Sequence, residues 1–462
     1  MRQRRGFFSS YHLALGLLLL IALFLRLYRI DGQSLWSDEG NSVAMAPRPI
    51  MDILQRTARD IHPPLYYMVL HGWVALVGRS EAAVRALSAL LGVATVALTA
   101  ALGYHLGGRR VALFAALPAA LAPFAIYYSQ EARMYMLVTF LAAASWLAFK
   151  QGLKGKPLVV YFLLTLAMLY THYYALSVLV AQSLAWLWET VQTRRWERRW
   201  ERRWGLRWVA VQLALVAAYL PWLWYARESI LNWPSISSEI ALPFIAGEMA
   251  RVFTVGLAMD TLPWWVALGA TLLCAAGVFG AVRQRALLPL FYVLVPPLLM
   301  LILSLDRPFW NPKFLLLALP GYHLLLGLGA ATLLRQTERM EPRLLPPLAL
   351  GMALFLLLAV KQPLQNGYWN PRYWRDDYRA IVRTIQAQAG PGDAILLDGA
   401  GQMEIFDYYY QGTLPRYALP ATRPLDETAT LRQLEEMAVS HDRLFALWWA
   451  EEEGDPTRLI PR

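Results

Sequence analysis

The chain has 462 residues, of which 57% are hydrophobic and only 16% are charged, and its formal net charge is +11. A soluble domain has an apolar share of about one half and a charged share of about one quarter, so this composition excludes an ordinary soluble globule and indicates a multi-pass membrane protein. The single cysteine, Cys274, excludes a disulfide framework and a cysteine-based zinc site.

Apolar stretches long enough to cross roughly 30 Å of hydrocarbon predict about eleven membrane-spanning helices. The first has a basic start like that of a signal peptide, but no small-residue cleavage site follows it, so we expect it to be retained as a helix. The predicted spans lie near residues 11–29, 82–106, 111–128, 134–149, 157–175, 176–190, 208–226, 263–282, 286–304, 314–334 and 344–360.

Arginine and lysine gather between the predicted spans on one side only. The clusters are MRQRR at the start of the chain, GGRR, KQGLKGK, TRRWERRWERRW, RQR and RQTERMEPR. By the positive-inside rule that side is the cytoplasm, which predicts a protein of the cell (inner) membrane with a cytoplasmic N-terminus. The net charge is then a signal of topology, and we expect no nucleic-acid partner.

The repeat RRWERRWERRW carries tryptophan at every fourth position, at Trp196, Trp200, Trp204 and Trp208. On a helix this spacing makes one aromatic stripe, flanked by arginines that reach anionic headgroups. We interpret the repeat as an interfacial anchor between two spans; a partner-binding or regulatory helix is the alternative.

From 361 to 462 the chain is polar and patterned like a soluble fold. DDYRAIVRTIQAQAG predicts a helix, PGDAILLDGAG a buried strand and a turn, MEIFDYYYQG another helix or strand, and RLFALWWAEEEG a late strand. We therefore predict a small external α/β domain at 361–462, after a transmembrane domain at 1–360 whose long external loops are 31–81 and 227–262.

Candidate site residues gather in the external segments. WSDEGN places two adjacent carboxylates, Asp38 and Glu39, directly after the first span, and RDIHPP places Asp60 and His62 later in the same loop. A purely structural alternative exists for the first pair, because Ser37 and Asp38 are also residues that begin a short helix.

The later external turns add cations and aromatic groups. IYYSQEARMYM holds Arg133 and Tyr135, YTHYYAL holds His172, and NPKFLLLALPGY holds Lys313. Each cation alone could be a snorkelling side chain. Acids, bases and aromatic groups nevertheless concentrate at one face beside long apolar helices, which favours a site built at the outer interface of the membrane.

The ordered set DE, HPPLYY, SQEARMY, THYYAL and NPKFLLLALPGYHLLLG resembles the bacterial GT-C membrane glycosyltransferases of the protein O-mannosyltransferase and aminoarabinose-transferase type, a glycosyltransferase family 39-like group. The tail DDYRAIVRTI…PGDAILL is similar to the external C-terminal domains of many bacterial members, so the resemblance covers nearly the whole chain. It implies a polytopic α-helical, GT-C-like membrane protein of about 11 transmembrane helices with a small external α/β domain at its C-terminus.

The resemblance implies a polyprenyl-phosphate donor carrying a mannose-like or related sugar. It also implies an acceptor with a hydroxyl or similar group and inversion at the anomeric carbon, and it leaves open whether the acceptor is a lipid, a glycan or a protein. Asp38 suits the role of general base that takes the proton of the acceptor. Glu39 is the second candidate catalytic carboxylate, with an orienting or capping role.

The leaving phosphate gains charge as its bond to the sugar breaks, which calls for donors at headgroup depth. Some relatives have lysine at the place of His62, which makes the cation here pH-dependent, and some have arginine at the place of Lys313, which removes a bidentate option. The candidates for holding the phosphate are Arg133, Tyr135, Lys313 and His62.

The sequence names no definite cofactor and leaves a divalent metal ion open. Asp60, His62 and His172 are of metal-ligand type, but no tight spacing such as His-x-x-x-His accompanies them.

Two other classes of function stay open. A lipid-linked-sugar transporter or flippase would place its ionisable residues near the middle of the bilayer on broken helices, whereas here they lie mainly at helix ends. An oligosaccharide ligase that uses a lipid diphosphate donor would share the fold.

Overall fold

The computed structural model describes residues 2–152, 154–192, 199–232, 242–306, 309–421, 425–448 and 459–460. Up to residue 369 the described chain is helical, as expected where backbone groups have no water to bond. The helices are α1 (Arg2–Leu27), α2 (Ser37–Met45), α3 (Ile50–Thr57), α4 (Leu65–Val77), α5 (Glu81–Leu121), α6 (Pro123–Ser129), α7 (Tyr135–Gln151), α8 (Lys156–Leu169), α9 (Leu176–Gln192), α10 (Arg199–Tyr225), α11 (Arg227–Leu231), α12 (Leu242–Val255), α13 (Trp264–Arg283), α14 (Leu288–Leu303), α15 (Leu319–Met340) and α16 (Leu345–Trp369).

Helices lie where spans are predicted, and five of them in the described part of the chain are long and apolar enough to cross a membrane. Three further apolar helices are shorter, namely α4, α8 and α14. The chain is thus a mostly helical protein with several candidate spans, and the count of eleven stays a prediction. The five long apolar segments are Ser10–Leu27, Glu81–Leu121, Gly205–Tyr225, Trp264–Arg283 and Pro342–Trp369.

Some boundaries differ from the predicted ones. The span predicted at 157–175 ends as α8 at Leu169, because a turn follows that helix. The span predicted at 314–334 begins later, because a 3₁₀ helix at Pro312–Leu317 precedes α15. The last long helix, α16, continues beyond residue 360, where the transmembrane domain is predicted to end.

Helix α5 is two helices joined at a sharp break. Gly107 and Gly108 have non-helical backbone angles, and Gly108 has φ 78°, a conformation that favours glycine. Next to the break, Arg335 Nη2 of α15 donates to Gly107 O at 2.9 Å, and Arg110 pairs with Glu338. The basic clusters GGRR and RQTERMEPR, which are predicted to share the cytoplasmic side, therefore contact each other.

Helix α15 packs closely against α5 and α13 through small residues. A Cβ at Gly327 would lie 2.6 Å from Ala115 N of α5, and one at Gly277 of α13 would collide with Leu325. Small residues allow such close approach, which drives helix association where no hydrophobic effect acts between apolar helices. These contacts fix α15 against α5 and α13.

The Trp-Arg repeat lies mostly outside what can be described. Residues 193–198, with Trp196, are outside the described residues, as are the side chains of Trp200 and Trp204. Trp208 is buried and stacks on Trp186 with ring centroids 5.6 Å apart, so this member of the stripe packs between helices instead of facing headgroups.

After α16 the chain forms a small α/β unit. It contains α17 (Tyr378–Gln388), β1 (Ala394–Asp398), α18 (Met403–Tyr409), β2 (Arg416–Leu419), α19 (Glu427–Ser440) and β3 (Leu444–Leu447). The strands form a parallel sheet in the order β2-β1-β3, in which Leu396 pairs with Tyr417 and Ala446. The central strand β1 is buried throughout, which explains its continuous apolar sequence. That this unit lies outside the membrane stays a prediction.

Candidate active site

Asp38 lies in the first turn of α2, the short helix that follows the first long one. The helix begins at Ser37 with Trp36 in extended conformation before it, and acidic residues in its first turn suit the positive end of its dipole. The Asp38 side chain keeps 28% of its surface exposed, whereas Glu39 next to it is fully buried. The two adjacent carboxylates therefore occupy different environments.

Two cations from distant parts of the chain face Asp38. Its Oδ2 lies 3.7 Å from Arg133 Nη2 and 3.9 Å from Lys313 Nζ. Burial acts to raise the pKa of Asp38, but the charges of Arg133 and Lys313 outweigh it and hold this pKa below its usual value. Asp38 is thus a carboxylate at neutral pH, beside two cations.

Arg133 is the central cation of the site. It lies in the turn between α6 and α7, and its side chain is only 4% exposed. Its Nη1 donates to Asp38 O at 3.1 Å and lies 3.5 Å from Ser42 Oγ and from Tyr67 Oη. Because these contacts hold the guanidinium beside α2, Arg133 is a fixed donor and not a snorkelling side chain.

Lys313 enters from the segment before α15. Asn311 caps the 3₁₀ helix there by accepting from Lys313 N at 3.3 Å, and Lys313 Nζ lies 5.3 Å from the centre of the Tyr135 ring. Burial disfavours the charge of Lys313, but Tyr135 and Asp38 raise its pKa above the usual value, so it stays a cation. Tyr135 thus helps to keep Lys313 charged.

Two neighbouring histidines, His62 and His172, also belong to the candidate site. His62 Nε2 lies 3.4 Å from Arg133 Nη2, and its Nδ1 lies 3.6 Å from Asp60 Oδ2. The His172 ring is 6.1 Å from that of His62, centroid to centroid. Burial lowers the pKa of both imidazoles, and so does the charge of Arg133, so both rings are neutral at neutral pH. His62 is therefore a hydrogen-bonding group rather than a third cation.

The candidate metal ligands do not converge. Among the described residues no three side chains of histidine, cysteine, aspartate or glutamate are placed to share an ion. His172 uses Nδ1 to accept from Tyr174 N at 3.1 Å, and the guanidinium beside His62 Nε2 would repel a cation. Asp60, His62 and His172 do not fit a shared metal site, and metal dependence stays untested.

Glu39 is paired with a different cation from those that face Asp38. Its Oε1 and Oε2 accept from Arg85 Nε and Nη2 at 2.7 and 2.6 Å, and Oε1 also accepts from Ala132 N at 2.8 Å. Arg85 donates as well to the carbonyls of Ile30, Gln33 and Ser34. Glu39 therefore ties α2 to α5 and to the turn that carries Arg133, which suits an orienting role.

Three residues that shape the site were not singled out from the sequence. Arg85 could have been found, because an arginine within an apolar helix needs a buried partner. Glu131 lies inside the quoted motif SQEARMY, and its side chain is 1% exposed and paired with Arg375 at 3.2 Å. Arg375 carries no local signal, because it follows the last long helix in a polar segment.

Part of the chain matches the model of a known protein family. Residues 61–224 match the family model described as dolichyl-phosphate-mannose-protein mannosyltransferase. This region holds His62, Arg133, Tyr135 and His172. No curated protein sequence matches the chain.

The fold is similar to crystal structures of ArnT from Cupriavidus metallidurans. The apo structure superposes with a TM-score of 0.57 at 14% identity, covering 92% of this chain and 88% of that chain. The structure bound to undecaprenyl phosphate gives a TM-score of 0.55 at 14% identity, covering 96% and 90% of the two chains.

The fold is also similar to the archaeal oligosaccharyltransferase AglB from Archaeoglobus fulgidus, in complex with an inhibitory peptide and a dolichol-phosphate. That match has a TM-score of 0.58 at 9% identity, and it covers 89% of this chain and 64% of AglB. At such identities the structural matches show the fold. Together with the family match, they confirm the resemblance to GT-C membrane glycosyltransferases that the ordered motifs predict.

Proposed function

Because the chain shares the fold of the GT-C membrane glycosyltransferases, we propose that it transfers a sugar from a polyprenyl-phosphate donor to an acceptor at the outer face of the cell membrane, with inversion and with Asp38 as general base. The observation that carries this proposal is the Asp38 carboxylate held 3.7 and 3.9 Å from Arg133 and Lys313. In this arrangement the base can take the proton of the attacking acceptor, and the two cations can stabilise the phosphate that leaves the same anomeric carbon.

The proposed reaction is a single displacement. Asp38 takes the proton of the acceptor hydroxyl while its oxygen forms a bond to the anomeric carbon, and the bond from that carbon to the phosphate oxygen breaks. The electron pair leaves with polyprenyl phosphate, whose developing charge faces Arg133 and Lys313. Attack opposite the leaving group inverts the configuration of the sugar.

The two cations also control the basicity of Asp38. Without a bound donor, the two cations outweigh the effect of burial and keep the pKa of this carboxyl low, so the free carboxylate is a weak base. An anionic phosphate bound between the cations would offset their charge, and the pKa of Asp38 would rise toward that of a better base. Donor binding thereby prepares the base for the acceptor.

The description of the matched family supports a mannose-like sugar in the donor. A lipid, a glycan or a protein is the proposed acceptor. The bound undecaprenyl phosphate and dolichol-phosphate of the ArnT and AglB structures support a lipid-linked donor.

An oligosaccharide ligase that uses a lipid diphosphate is the second candidate, because AglB is an oligosaccharyltransferase with a similar fold. A lipid-linked-sugar flippase is the third, and the position of the charges at helix ends argues against it.

The deciding experiment supplies purified protein with membrane extract and radiolabelled polyprenyl-phosphate mannose, glucose or arabinose, and then separates labelled product from free polyprenyl phosphate. We expect product and free polyprenyl phosphate in equal amounts, and neither with Asp38→Asn. A ligase would instead require a lipid diphosphate donor, and a flippase would release no polyprenyl phosphate. Either result would contradict the proposal.

A further inference from the structure

The segment that follows the last long helix reaches back to the active site. Arg375 lies between α16 and α17, its side chain is 6% exposed, and its Nη2 is 3.2 Å from Glu131 Oε2. Its guanidinium covers the Tyr127 ring at 4.1 Å and donates to the carbonyls of Tyr127 and Gln130 at 3.4 Å. A buried cation from the C-terminal segment thus fills the turn between α6 and α7.

That turn holds the catalytic parts of the site in place. Arg133 N donates to Glu131 O at 2.9 Å, and Ala132 N donates to Glu39 Oε1 at 2.8 Å. The Arg133 guanidinium then reaches Asp38. A shift of Glu131 would therefore move both Arg133 and the carboxylate that anchors α2.

The same C-terminal segment also contacts the chain just before α2. Arg375 N donates to Gln33 Oε1 at 3.1 Å, Ser34 Oγ donates to Asp376 O at 2.9 Å, and Leu35 N donates to Tyr409 Oη at 2.7 Å. These bonds, together with those of Arg85, hold the segment that enters α2.

Helix α2 and helix α18 are packed without space between them. A methyl group at Gly40 would collide with the backbone and Cβ of Ile405, so only glycine fits there. Because backbone atoms form this contact, rotation of a side chain cannot relieve it. The C-terminal α/β unit therefore packs directly against the helix that carries Asp38.

We propose that Arg375 is a positioning residue of this active site: by holding Glu131 it fixes the turn that bears Arg133, and with the packing of α18 on α2 it sets the distance between Asp38 and the two cations. The C-terminal α/β unit thereby helps to hold the site residues in their arrangement. This role rests on the proposed function of Asp38 and Arg133.

The first test compares Arg375→Gln, Arg375→Lys and the double variant Arg375→Gln/Glu131→Gln with wild type. Arg375→Gln leaves a buried carboxyl without its cation, whereas the double variant removes both charges, which is often better tolerated. We expect Arg375→Gln to lower the transfer rate by about tenfold or more and to raise the KM for polyprenyl-phosphate mannose. Arg375→Lys and the double variant should recover part of both losses.

The KM separates positioning from a loss of folded protein, because unfolding lowers the rate but leaves the KM unchanged. The matched control is Arg443→Gln, which breaks an ion pair with Asp393 within the C-terminal α/β unit. An unchanged KM in Arg375→Gln, or equal changes in Arg443→Gln, would overturn the proposal.

Hydrogen exchange tests the placement without any activity. In Arg375→Gln the backbone of residues 127–135 and of α2 should exchange faster than in wild type and in Arg443→Gln. If exchange rises but wild type transfers no sugar from any donor, the proposed function fails and the structural coupling stands. If exchange is unchanged, the coupling itself is wrong.

A second perturbation uses packing instead of charge. Gly40→Ala should displace α2 from α18, raise the KM for the donor and increase exchange in α2. Gly72→Ala is the matched control, because a Cβ at that helical position meets nothing within 4 Å. Equal behaviour of the two glycine variants would contradict the role assigned to the contact between α2 and α18.

Discussion

Arg85 and Glu39 form a fully buried, two-pronged ion pair, with Nε and Nη2 of the arginine 2.7 and 2.6 Å from the two carboxylate oxygens. Asp38, the neighbour of Glu39 in the chain, is partly exposed and faces Arg133 and Lys313 instead. The pair of acids is thereby divided between a buried, structural carboxylate and the one proposed as the general base.

Asp38→Asn should abolish most of the transferase activity while the protein still folds. The amide keeps the shape of the side chain but cannot take a proton, so loss of general-base catalysis predicts a fall in rate of roughly 10²-fold or more. The measurement is release of free polyprenyl phosphate at matched protein amounts. A near wild-type rate would show that Asp38 only begins a helix.

Glu39→Gln should act mainly on stability. It leaves the buried Arg85 without a counter-charge, which predicts a loss of about 3 kcal/mol in the free energy of unfolding. Thermal unfolding of the detergent-solubilised protein measures this loss, with Glu435→Gln as the control of equal chemistry at an exposed position. A variant as stable as Glu435→Gln would show that the ion pair is not structural.

Arg133→Ala and Lys313→Ala should both weaken donor binding, since each removes a cation from the proposed phosphate site. Lys313→Arg should retain much of the binding, because the charge is kept and a forked donor is added. Binding of polyprenyl-phosphate mannose to the purified variants is the measurement. If both alanine variants bind as wild type does, the phosphate lies elsewhere.

The predicted topology can be checked by labelling single cysteines in a Cys274→Ala background with a membrane-impermeant reagent. Ser37 and Gln402 are buried and make poor labelling sites, so Arg79 and Glu435 are the better external positions, and Gln284 is the internal one. We expect labelling of the first two in intact cells and protection of the third. Protection of Glu435 would contradict an external C-terminal unit.

Glu131 predicts a specific dependence of stability on pH. Burial raises the pKa of Glu131 from 4.5 to about 7, although Arg375 acts in the opposite direction. The folded protein therefore keeps a proton that the unfolded chain releases, so the stability from this group is present below pH 4.5 and is lost as the pH rises to 7.

Glu131→Gln removes that loss. Relative to wild type, its free energy of unfolding should therefore rise with pH across this window, measured by thermal unfolding at several pH values. The histidines His62 and His172 titrate in both proteins and cancel in the difference. A constant difference between the two proteins would show that folding does not raise the pKa of Glu131.

The amino-acid sequence alone determined the class of the protein and the ingredients of its site. Long apolar stretches and their flanking charges are local features, and crossing a bilayer requires helices, so the positions of the helices follow from composition. Asp38, Arg133 and Lys313 could be selected because each is a charged residue in a segment that connects two long apolar stretches.

Only the tertiary structure decided which of two adjacent acids faces Arg133 and Lys313 and which contacts hold these groups in place. Neighbouring residues on a helix point in different directions, but the sequence does not say which direction meets the cations. Arg375 and Glu131 are 244 positions apart, and neither has a local pattern that names the other as its partner. Their contact exists because α16 returns the chain to the same face as α2, a matter of helix packing that no short stretch of sequence records.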